Sequence, residues 1–364
     1  MKKIAFILAS FNVGGVEKNT LRLAKAMLDK GYEVDLLVIR NEGIYKSNVD
    51  SRINVICLNK NSALRSIRSI AKYLKHTQPA ALISAKDYIN LVVLISKLLV
   101  NVGTKIIISV RTNLTTELKH MTLLNRVIMT VMIKLLYPFA DYIVTVSKGV
   151  AKDLRKILKI KNENIKVIYN PIVDNEITEK LNQKLDVSKY GNSKIVVSVG
   201  RLEVQKDYPT LIKAFKFVLN EVNSFLLILG EGKEREKIEN LIEKLGLNDN
   251  VELIGNTDNP YMYMAASDLL VLSSKWEGFG NVIAEALAVG TPVVSTNCPS
   301  GPSEILDGGE YGILVPTENP EELAKGILNA FKIDWDKNEL IQRSKEFTVE
   351  KAAQKYSDLI NGRS

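Results

Sequence analysis

Two glutamates eight residues apart frame a glycine-rich turn in the last third of the chain. The run Glu277-Gly278-Phe279-Gly280-Asn281-Val282-Ile283-Ala284-Glu285 follows an apolar stretch, Leu269–Leu272, and precedes Gly290 and Pro292. This order predicts a strand, a turn and then a helix that ends at the glycine and proline. The first turn of a helix presents N–H groups that attract a phosphate, and glycines let a ligand approach the backbone. We therefore expect an anion site here, with the two carboxylates accepting hydrogen bonds from sugar hydroxyls.

Two cations follow another apolar stretch. The segment Lys194–Val199 leads into Gly200-Arg201, and Lys206 lies in the same loop. A planar guanidinium and a compact ammonium at the carboxyl end of a strand suit the binding of a diphosphate. Because a leaving diphosphate gains charge as its bond breaks, such cations would also stabilise a transition state. Taken singly, each pattern also fits an ordinary structural loop, as does the Gly230-Glu231-Gly232 turn between them.

The elements that must position these residues form two series. Short apolar, β-branched runs alternate with helical patterns from Ile4 to about residue 170, and the alternation restarts at Lys194. Such runs are typical of strands buried on both faces of a parallel sheet, so the fold class is α/β with two doubly wound domains. The predicted domains are 1–180, 188–345 and a returning C-terminal segment, 346–364. The last predicted helix is Asn338–Ile360.

Composition narrows the chemistry further. The 364 residues include two cysteines and two histidines, which excludes a disulfide framework and a histidine-rich metal cluster and favours a cytoplasmic location. Residues 1–187 carry 30 basic and 15 acidic side chains, whereas residues 188–364 carry 19 and 26.

The apolar start at Ile4 is better explained as a first strand than as a signal peptide. The pattern of Met121–Ala140 predicts an amphipathic helix that either packs in the core or binds a membrane surface.

The motifs occur in one order along the chain. Gly200-Arg201 with Lys206 is followed by Gly230-Glu231-Gly232, the two glutamates, and Gly301-Pro302-Ser303-Glu304. The combination resembles the retaining glycosyltransferases of family four, and the resemblance runs from Gly14-Gly15 to the C-terminal helix. It implies the GT-B fold, in which two Rossmann-like domains face across a cleft and a C-terminal helix crosses back to the first. It also implies a nucleotide-sugar site mainly in the second domain, an acceptor site mainly in the first, and catalysis with no metal ion or other cofactor.

The resemblance assigns roles to the residues that match the family's motifs. Arg201 and Lys206 would contact the diphosphate, with Lys206 bonded to the leaving oxygen, and Glu277 would bind hydroxyls of the donor sugar. These three are the predicted catalytic residues, and Glu285 would hold the ribose hydroxyls. The remaining predicted donor-binding positions are Gly14, Gly15, Gly200, Gly230, Ile254 beside the base, and the backbone of Gly278, Phe279, Gly280 and Asn281.

One departure from the family concerns the first domain. Where the family usually has a histidine at the end of a strand, this chain has Ser109-Val110-Arg111-Thr112-Asn113, and His120 follows further on. Arg111 and Asn113 are therefore the candidates for the first-domain polar group. A permanently charged Arg111 suits a phosphate of the donor or acceptor better than a proton. The pattern resembles the branch that lengthens lipid-linked or polysaccharide chains with hexose or hexosamine units, including N-acetylgalactosaminyl transferases, and it favours UDP-sugars over GDP-sugars.

Together these inferences predict a retaining, metal-independent hexosyltransferase that moves a hexose or N-acetylhexosamine from a UDP-sugar to a lipid-linked glycan. Its predicted setting is the biosynthesis of cell-surface polysaccharide or glycoconjugates. The basic first half predicts peripheral contact with an anionic membrane, on the inner face of the plasma membrane. The alternative is a non-catalytic GT-B protein that binds a nucleotide sugar or a glycan.

Three other functions fit the sequence poorly. A dinucleotide dehydrogenase would need Gly-x-Gly-x-x-Gly at the first turn, where the chain has Asn12-Val13-Gly14-Gly15-Val16. A metal-dependent transferase would need Asp-x-Asp at a strand end, but Asp334-Trp335-Asp336 lies in a late polar connection. The basic side chains are spread over many segments without interleaved aromatics, which disfavours a nucleic-acid partner.

Overall fold

The computed structural model describes residues 1–12, 14–159 and 163–363, and the chain divides into two compact units. Unit 1 comprises Met1–Pro171 and Val349–Ser364, and unit 2 comprises Ile172–Thr348. The predicted boundary, between 180 and 188, lies later in the chain than this division. The division is earlier because the Ile172 and Val173 amides donate to the Phe347 carbonyl, at 3.0 and 3.1 Å, which joins the first residues of unit 2 to its last.

Unit 1 is built on a parallel sheet of seven strands in the order β3-β2-β1-β4-β5-β6-β7. The side chains of its central strands are buried on both faces, which explains the continuous apolar runs in the sequence. The strands are β1 Lys3–Leu8, β2 Glu33–Val38, β3 Asn54–Cys57, β4 Ala81–Ala85, β5 Lys105–Val110, β6 Tyr142–Thr145 and β7 Ile165–Val167. The helices between them are α1 Gly15–Asp29, α2 Ile67–Thr77, α3 Asp87–Leu98, α4 Leu114–Lys119, α5 Leu123–Leu136 and α6 Lys148–Leu158.

Unit 2 repeats this architecture with six parallel strands in the order β10-β9-β8-β11-β12-β13. Its core packs β8, β9 and β11 against α8, α9 and α13. The strands are β8 Lys194–Val199, β9 Ser224–Leu229, β10 Val251–Gly255, β11 Leu269–Leu272, β12 Val293–Thr296 and β13 Ile313–Val315. The helices are α7 Asn175–Lys180, α8 Tyr208–Leu219, α9 Arg235–Leu245, α10 Pro260–Ala266, α11 Asn281–Ala288, α12 Gly301–Ile305, α13 Pro320–Ala330 and α14 Lys337–Ser344.

The C-terminal helix returns to unit 1, as predicted. Helix α15, Val349–Asn361, packs against α1, and Tyr356 and Leu359 join the core of unit 1. The segment Asn338–Ile360 is helical as predicted, but it is divided, because α14 gives way to a 3₁₀ turn, Lys345–Phe347, before α15 begins. Thr348 between them is extended, and its segment pairs with Val173, so the chain leaves unit 2 through a strand-like link.

Within the described part of the chain, no helix has both the length and the apolar character needed to cross a membrane. The start of the chain forms β1, which agrees with the prediction of a first strand.

Candidate active site

The predicted donor residues of unit 2 lie near the topological switch point of its sheet, where the connections from two neighbouring strands run to opposite sides. Strands β8 and β11 are neighbours, but the chain leaves β8 toward β9 on one side and leaves β11 toward β12 on the other. The loops that follow the carboxyl ends of two such strands form the crevice in which doubly wound sheets bind ligands. The loop after β8 carries Lys206, and the loop after β11 carries Glu277.

These two residues form a largely buried ion pair. The Lys206 Nζ lies 2.6 Å from Glu277 Oε1, and the two side chains are 15% and 9% exposed. The hydroxyl of Ser274 donates to the same carboxylate oxygen at 2.7 Å. Two donors hold this largely buried carboxylate in position, and its charge compensates that of the lysine.

Further hydrogen bonds join the two loops and fix the lysine backbone. The Ser273 hydroxyl donates to the Lys206 carbonyl at 2.7 Å. The Gln205 side chain donates to the Trp276 carbonyl at 2.8 Å, and the Lys275 amide donates to the Gln205 carbonyl at 2.9 Å. These hydrogen bonds hold the two loops that carry the ion pair against each other.

A helix begins beside this pair. Helix α11 starts at Asn281 after Gly280, which has the left-handed φ of 96°. The amides at the start of a helix have no partner one turn earlier, and the helix dipole adds positive potential at that end. In α11 the Ile283 amide donates to the Gly280 carbonyl at 2.9 Å. A lysine, a glutamate and a helix N-terminus thus meet on consecutive loops of one sheet edge, which suits a ligand with a phosphate and hydroxyl groups.

Two glycines of the predicted motifs are required by close packing of the chain on itself. A Cβ on Gly301 would lie 1.8 Å from the Phe279 carbonyl oxygen, so α12 can approach the Gly278–Gly280 turn only through a glycine. Gly230 has a φ of 133°, and a Cβ there would lie 2.0 Å from the Gly200 carbonyl oxygen. Their role in the fold is thus to bring loops together around the site.

Glu285 lies inside α11 and is half-buried. Its Oε1 is 3.5 Å from the hydroxyl of Tyr261, a fully buried residue of α10. The sequence analysis did not single out Tyr261, although an aromatic residue directly after Asn259-Pro260 at a helix start was visible.

Arg201 and Ile254 occupy the edges of this region. Arg201 follows β8 and is exposed, and its carbonyl accepts a hydrogen bond from the Glu203 amide at 2.8 Å. Ile254 is half-buried near the end of β10. Neither side chain belongs to the buried Lys206–Glu277 pair.

Cys298 is a buried thiol in the electrostatic field of this pair, and it follows β12 with an exposure of 2%. Burial raises the pKa of its thiol to about 12, and the negative charge of Glu277 acts in the same direction. The thiol therefore stays protonated and acts as a small apolar side chain near the site. The sequence predicted no role for Cys298 beyond its being one of the two cysteines of the chain.

Unit 1 has a similar ion pair at the topological switch point of its own sheet, between β1 and β4. Lys86, directly after β4, pairs with Glu17 of α1, and Glu17 is 2% exposed. A Cβ on Gly14 would lie 2.5 Å from Glu17 Oε2, so the glycine makes room for this carboxylate. Gly15 is the first residue of α1, and Val13 lies outside the described residues. The sequence analysis missed both charged residues, although Lys86 directly follows a buried strand.

The two first-domain candidates have different surroundings. Arg111 follows β5 and donates from Nη1 to Asn170 Oδ1 at 2.9 Å. Burial lowers the pKa of its guanidinium, partly opposed by Tyr356 and Glu17. Asn113 caps α4, where its side-chain oxygen accepts from the Thr116 amide at 3.0 Å. His120 is exposed at the end of α4.

Two features bear on metal binding. Among the described residues, no group of three or more His, Cys, Asp or Glu side chains is placed to hold a metal ion. Asp336 of the Asp-x-Asp match caps α14, because its side chain accepts from the Asn338 amide at 2.8 Å.

Two family models match the chain in succession. "Glycosyltransferase Family 4" matches residues 13–176, and "Glycosyl transferases group 1" matches residues 179–347. A Haemophilus influenzae protein described as an uncharacterized glycosyltransferase is 31% identical over 338 residues, which is 90% of each chain. The fold and these matches define a glycosyltransferase of the GT-B class. More particularly, the chain belongs to glycosyltransferase family 4, as its motifs predicted.

A named relative and two solved structures add detail. The Campylobacter jejuni N-acetylgalactosamine-N,N'-diacetylbacillosaminyl-diphospho-undecaprenol 4-alpha-N-acetylgalactosaminyltransferase is 34% identical over 233 residues, 63% of this chain and 62% of the relative. An Anabaena protein in complex with UDP-glucose has a TM-score of 0.82, 21% identity and full coverage of both chains. Sucrose-phosphate synthase from Thermosynechococcus elongatus has a TM-score of 0.79 at 19% identity and covers 100% of this chain and 99% of its own. At these identities, the two structures show the shared fold.

Proposed function

We propose that the protein transfers a hexose or N-acetylhexosamine, with retention of anomeric configuration, from a UDP-sugar to a hydroxyl of a lipid-linked glycan. The reaction would belong to the biosynthesis of cell-surface polysaccharide or glycoconjugates. The observation that carries the proposal is the Lys206–Glu277 ion pair, in which Nζ and Oε1 are 2.6 Å apart. The pair lies at the topological switch point of the unit 2 sheet and next to the start of α11.

The donor diphosphate would bind between the Lys206 ammonium and the first turn of α11. The amides of the Gly278–Asn281 segment and the helix dipole would attract phosphate oxygens, and the exposed Arg201 would add a second cation. Ser273 holds the Lys206 backbone through its carbonyl, and Glu277 holds the ammonium. As the sugar–phosphate bond breaks, the diphosphate gains charge, and a fixed ammonium stabilises that charge more than it stabilises the ground state.

Two carboxylates would orient the sugars of the donor. Glu277 keeps one oxygen on Lys206 and Ser274, and as a fixed acceptor it would bind hydroxyls of the transferred sugar. Glu285, half-buried in α11, would accept hydrogen bonds from the ribose hydroxyls. Ile254 would lie against the base, and the backbones of Gly200 and Gly230 would border the diphosphate.

The reaction requires a group that accepts the proton of the acceptor hydroxyl. Neither Arg111 nor the amide of Asn113 is a base at neutral pH. We therefore propose that a leaving phosphate oxygen takes this proton as the acceptor attacks from the face that the diphosphate leaves, and that the reaction uses no metal ion or other cofactor. Arg111 and Asn113 would then bind polar groups rather than move a proton.

The relatives support the choice of substrates. The Campylobacter relative acts, by its name, on a glycan carried by diphospho-undecaprenol and adds N-acetylgalactosamine. The Anabaena structures contain UDP and UDP-glucose. We extend these substrate classes to this chain, and with them a location on the cytoplasmic face of a membrane.

The experiment is a panel of UDP-sugars incubated with the purified full chain, with and without extracted lipid-linked glycan, and with released UDP as the readout. We expect UDP release from one donor, stimulation by the lipid extract, and no loss of activity with a chelator. Thermal stabilisation by UDP without any release would favour the non-catalytic binder. Activity that a chelator abolishes and an added metal restores would overturn the metal-independent mechanism.

A further inference from the structure

Helix α5 of unit 1 exposes a row of large apolar side chains. Six of them, all 47–69% exposed, are Leu123, Leu124, Val127, Ile128, Val131 and Leu135. At about 100° per residue, these six fall within an arc of about 140° on one side of the helix. We call this surface the α5 face.

The opposite side of the helix is anchored in the protein. Ile133 is fully buried and Leu136 is 9% exposed, and α5 packs against α3, α4 and α6. The helix is thus apolar on both sides but covered on only one. A contiguous exposed apolar surface of this kind on a soluble unit marks an interaction site.

The charges of the chain segment that contains α5 have one sign. From residue 118 to residue 140 the chain contains no aspartate or glutamate, but it contains Lys119, Arg126 and Lys134. Lys134 is exposed on α5 itself, and by helical spacing it lies within the same arc.

The neighbouring helix adds further cations. Helix α6, which packs against α5, has four exposed basic side chains within about two and a half turns: Lys148, Lys152, Arg155 and Lys156. The only acidic residue of α6, Asp153, is buried and accepts a hydrogen bond from the Thr115 amide at 2.9 Å. Its carboxylate is thus directed to α4, and the exposed side chains of α6 that carry charge are all basic.

We propose that the α5 face docks on an anionic lipid bilayer, with the six apolar side chains below the headgroups and the lysines and arginines of α5 and α6 on lipid phosphates. An apolar row bordered by Lys and Arg is the pattern by which amphipathic helices bind the membrane interface. The inference names the surface through which the protein would contact the membrane, and it rests on the proposed function only for the location at a membrane.

A bilayer suits this surface better than a second copy of the chain. Two α5 faces brought together would place cations against cations, which opposes association. A membrane with anionic headgroups supplies the opposite charge and a liquid apolar layer at the same time. Burying an isoleucine or leucine in that layer contributes enough free energy that a few such side chains hold a protein at the surface.

The experiment is co-sedimentation of the full chain with phosphatidylcholine vesicles and with vesicles that also contain phosphatidylglycerol. We expect binding to the anionic vesicles that weakens as salt is raised. Ile128→Glu should lower the partition coefficient more than tenfold, because it removes a buried apolar side chain and adds a repelled charge. Ile333→Glu in unit 2 is the matched control, because Ile333 is 45% exposed and Ile128 52%, and it should bind like the parent.

Circular dichroism and UDP binding of both variants separate this inference from the proposed function. Ile128→Glu should keep its fold and its affinity for UDP, since α5 is not part of the unit 2 site. Vesicle binding that ignores anionic lipid, or that Ile128→Glu leaves unchanged, would refute the proposal. Dimerisation of the parent chain in light scattering, lost in Ile128→Glu and without vesicle binding, would assign the α5 face to a second copy instead.

Discussion

The Nζ of Lys206 lies 2.6 Å from Oε1 of Glu277, although the two residues are 71 positions apart in sequence. Strands β8 and β11 pair in parallel, so their carboxyl ends carry the two loops to one place. Ser274 donates to the same carboxylate oxygen and Ser273 to the lysine carbonyl. The consequence is a lysine whose charge is compensated by Glu277 and whose backbone is held by Ser273.

Lys206→Ala tests the role of this ammonium in transfer. If it stabilises the departing diphosphate, turnover should fall by about 10²–10³-fold. The measurement is the initial rate of UDP release at saturating donor. Lys216→Ala, an exposed lysine on α8, serves as the control and should keep the parent rate. Turnover of Lys206→Ala within about threefold of the parent would remove Lys206 from the mechanism.

Glu277→Gln tests the pair as a structural unit. The glutamine keeps the shape but leaves the Lys206 charge with a neutral partner, so the free energy of unfolding should fall by about 1–3 kcal/mol. Lys206→Met with Glu277→Gln should recover part of that loss, because the uncompensated charge is gone. Urea denaturation of the single and double variants forms a double-mutant cycle. Strictly additive losses would contradict a coupled pair.

Glu285→Ala tests the ribose assignment. Removing a carboxylate that accepts hydrogen bonds from the ligand should weaken UDP binding by about tenfold or more, with a smaller effect on turnover at saturating donor. Isothermal titration with UDP provides the measurement. Tyr261→Phe removes the 3.5 Å hydroxyl contact with Glu285 but keeps the carboxylate, and it should change the affinity by less than about threefold. Equal affinity of Glu285→Ala and the parent would take Glu285 out of the site.

Gly301→Ala tests the packing of α12 on the donor turn. The added methyl would meet the Phe279 carbonyl, so the turn must shift, at a cost of about 1–3 kcal/mol in the free energy of unfolding. We also expect weaker UDP binding, since the same turn would hold a phosphate. Gly103→Ala is the control, because a Cβ there has no atom within 4 Å. Unchanged stability and UDP affinity in Gly301→Ala would show that the turn tolerates displacement.

The raised pKa of Asp87 predicts that the free energy of unfolding depends on pH. Desolvation raises the pKa of its carboxyl from 3.8 to about 6, opposed by the hydrogen bond that Tyr137 donates to it at 2.7 Å. The folded chain therefore binds more protons than the unfolded chain between about pH 4 and 6. The free energy of unfolding should fall by about 1–2 kcal/mol as pH rises through that window, and then stay level for this group.

Asp87→Asn should remove this part of the pH profile, because the amide oxygen still accepts from Tyr137 but does not ionise. Urea denaturation at pH 4.5 and 7.5 measures the difference between parent and variant. Asp249→Asn, an exposed aspartate of unit 2, provides the control and should follow the parent. If the profile of Asp87→Asn ran parallel to that of the parent, Asp87 would not be the titrating group.

Local patterns in the sequence determined much of the fold. The β-branched runs after Ile4 and after Lys194 specified strands, since each run is buried on both faces of a parallel sheet. The helix predicted between the Gly278–Gly280 turn and Gly290 is present as α11. Charge composition separated the two halves of the chain, because side-chain counts do not depend on folding. The family followed from motif order alone.

Only the tertiary structure decided which side chains meet. No spacing rule relates Lys206 to Glu277, or Lys86 to Glu17, because these pairs form between segments that follow neighbouring parallel strands and are distant in sequence. The same reason explains why Gly301 packs on Phe279 and why the last helix breaks at Thr348, where the chain passes from unit 2 to unit 1. Periodicity revealed an apolar helix at α5, but it could not tell which face was covered. Burial depends on neighbours distant in sequence, and the fold left the Ile128 side of that helix exposed.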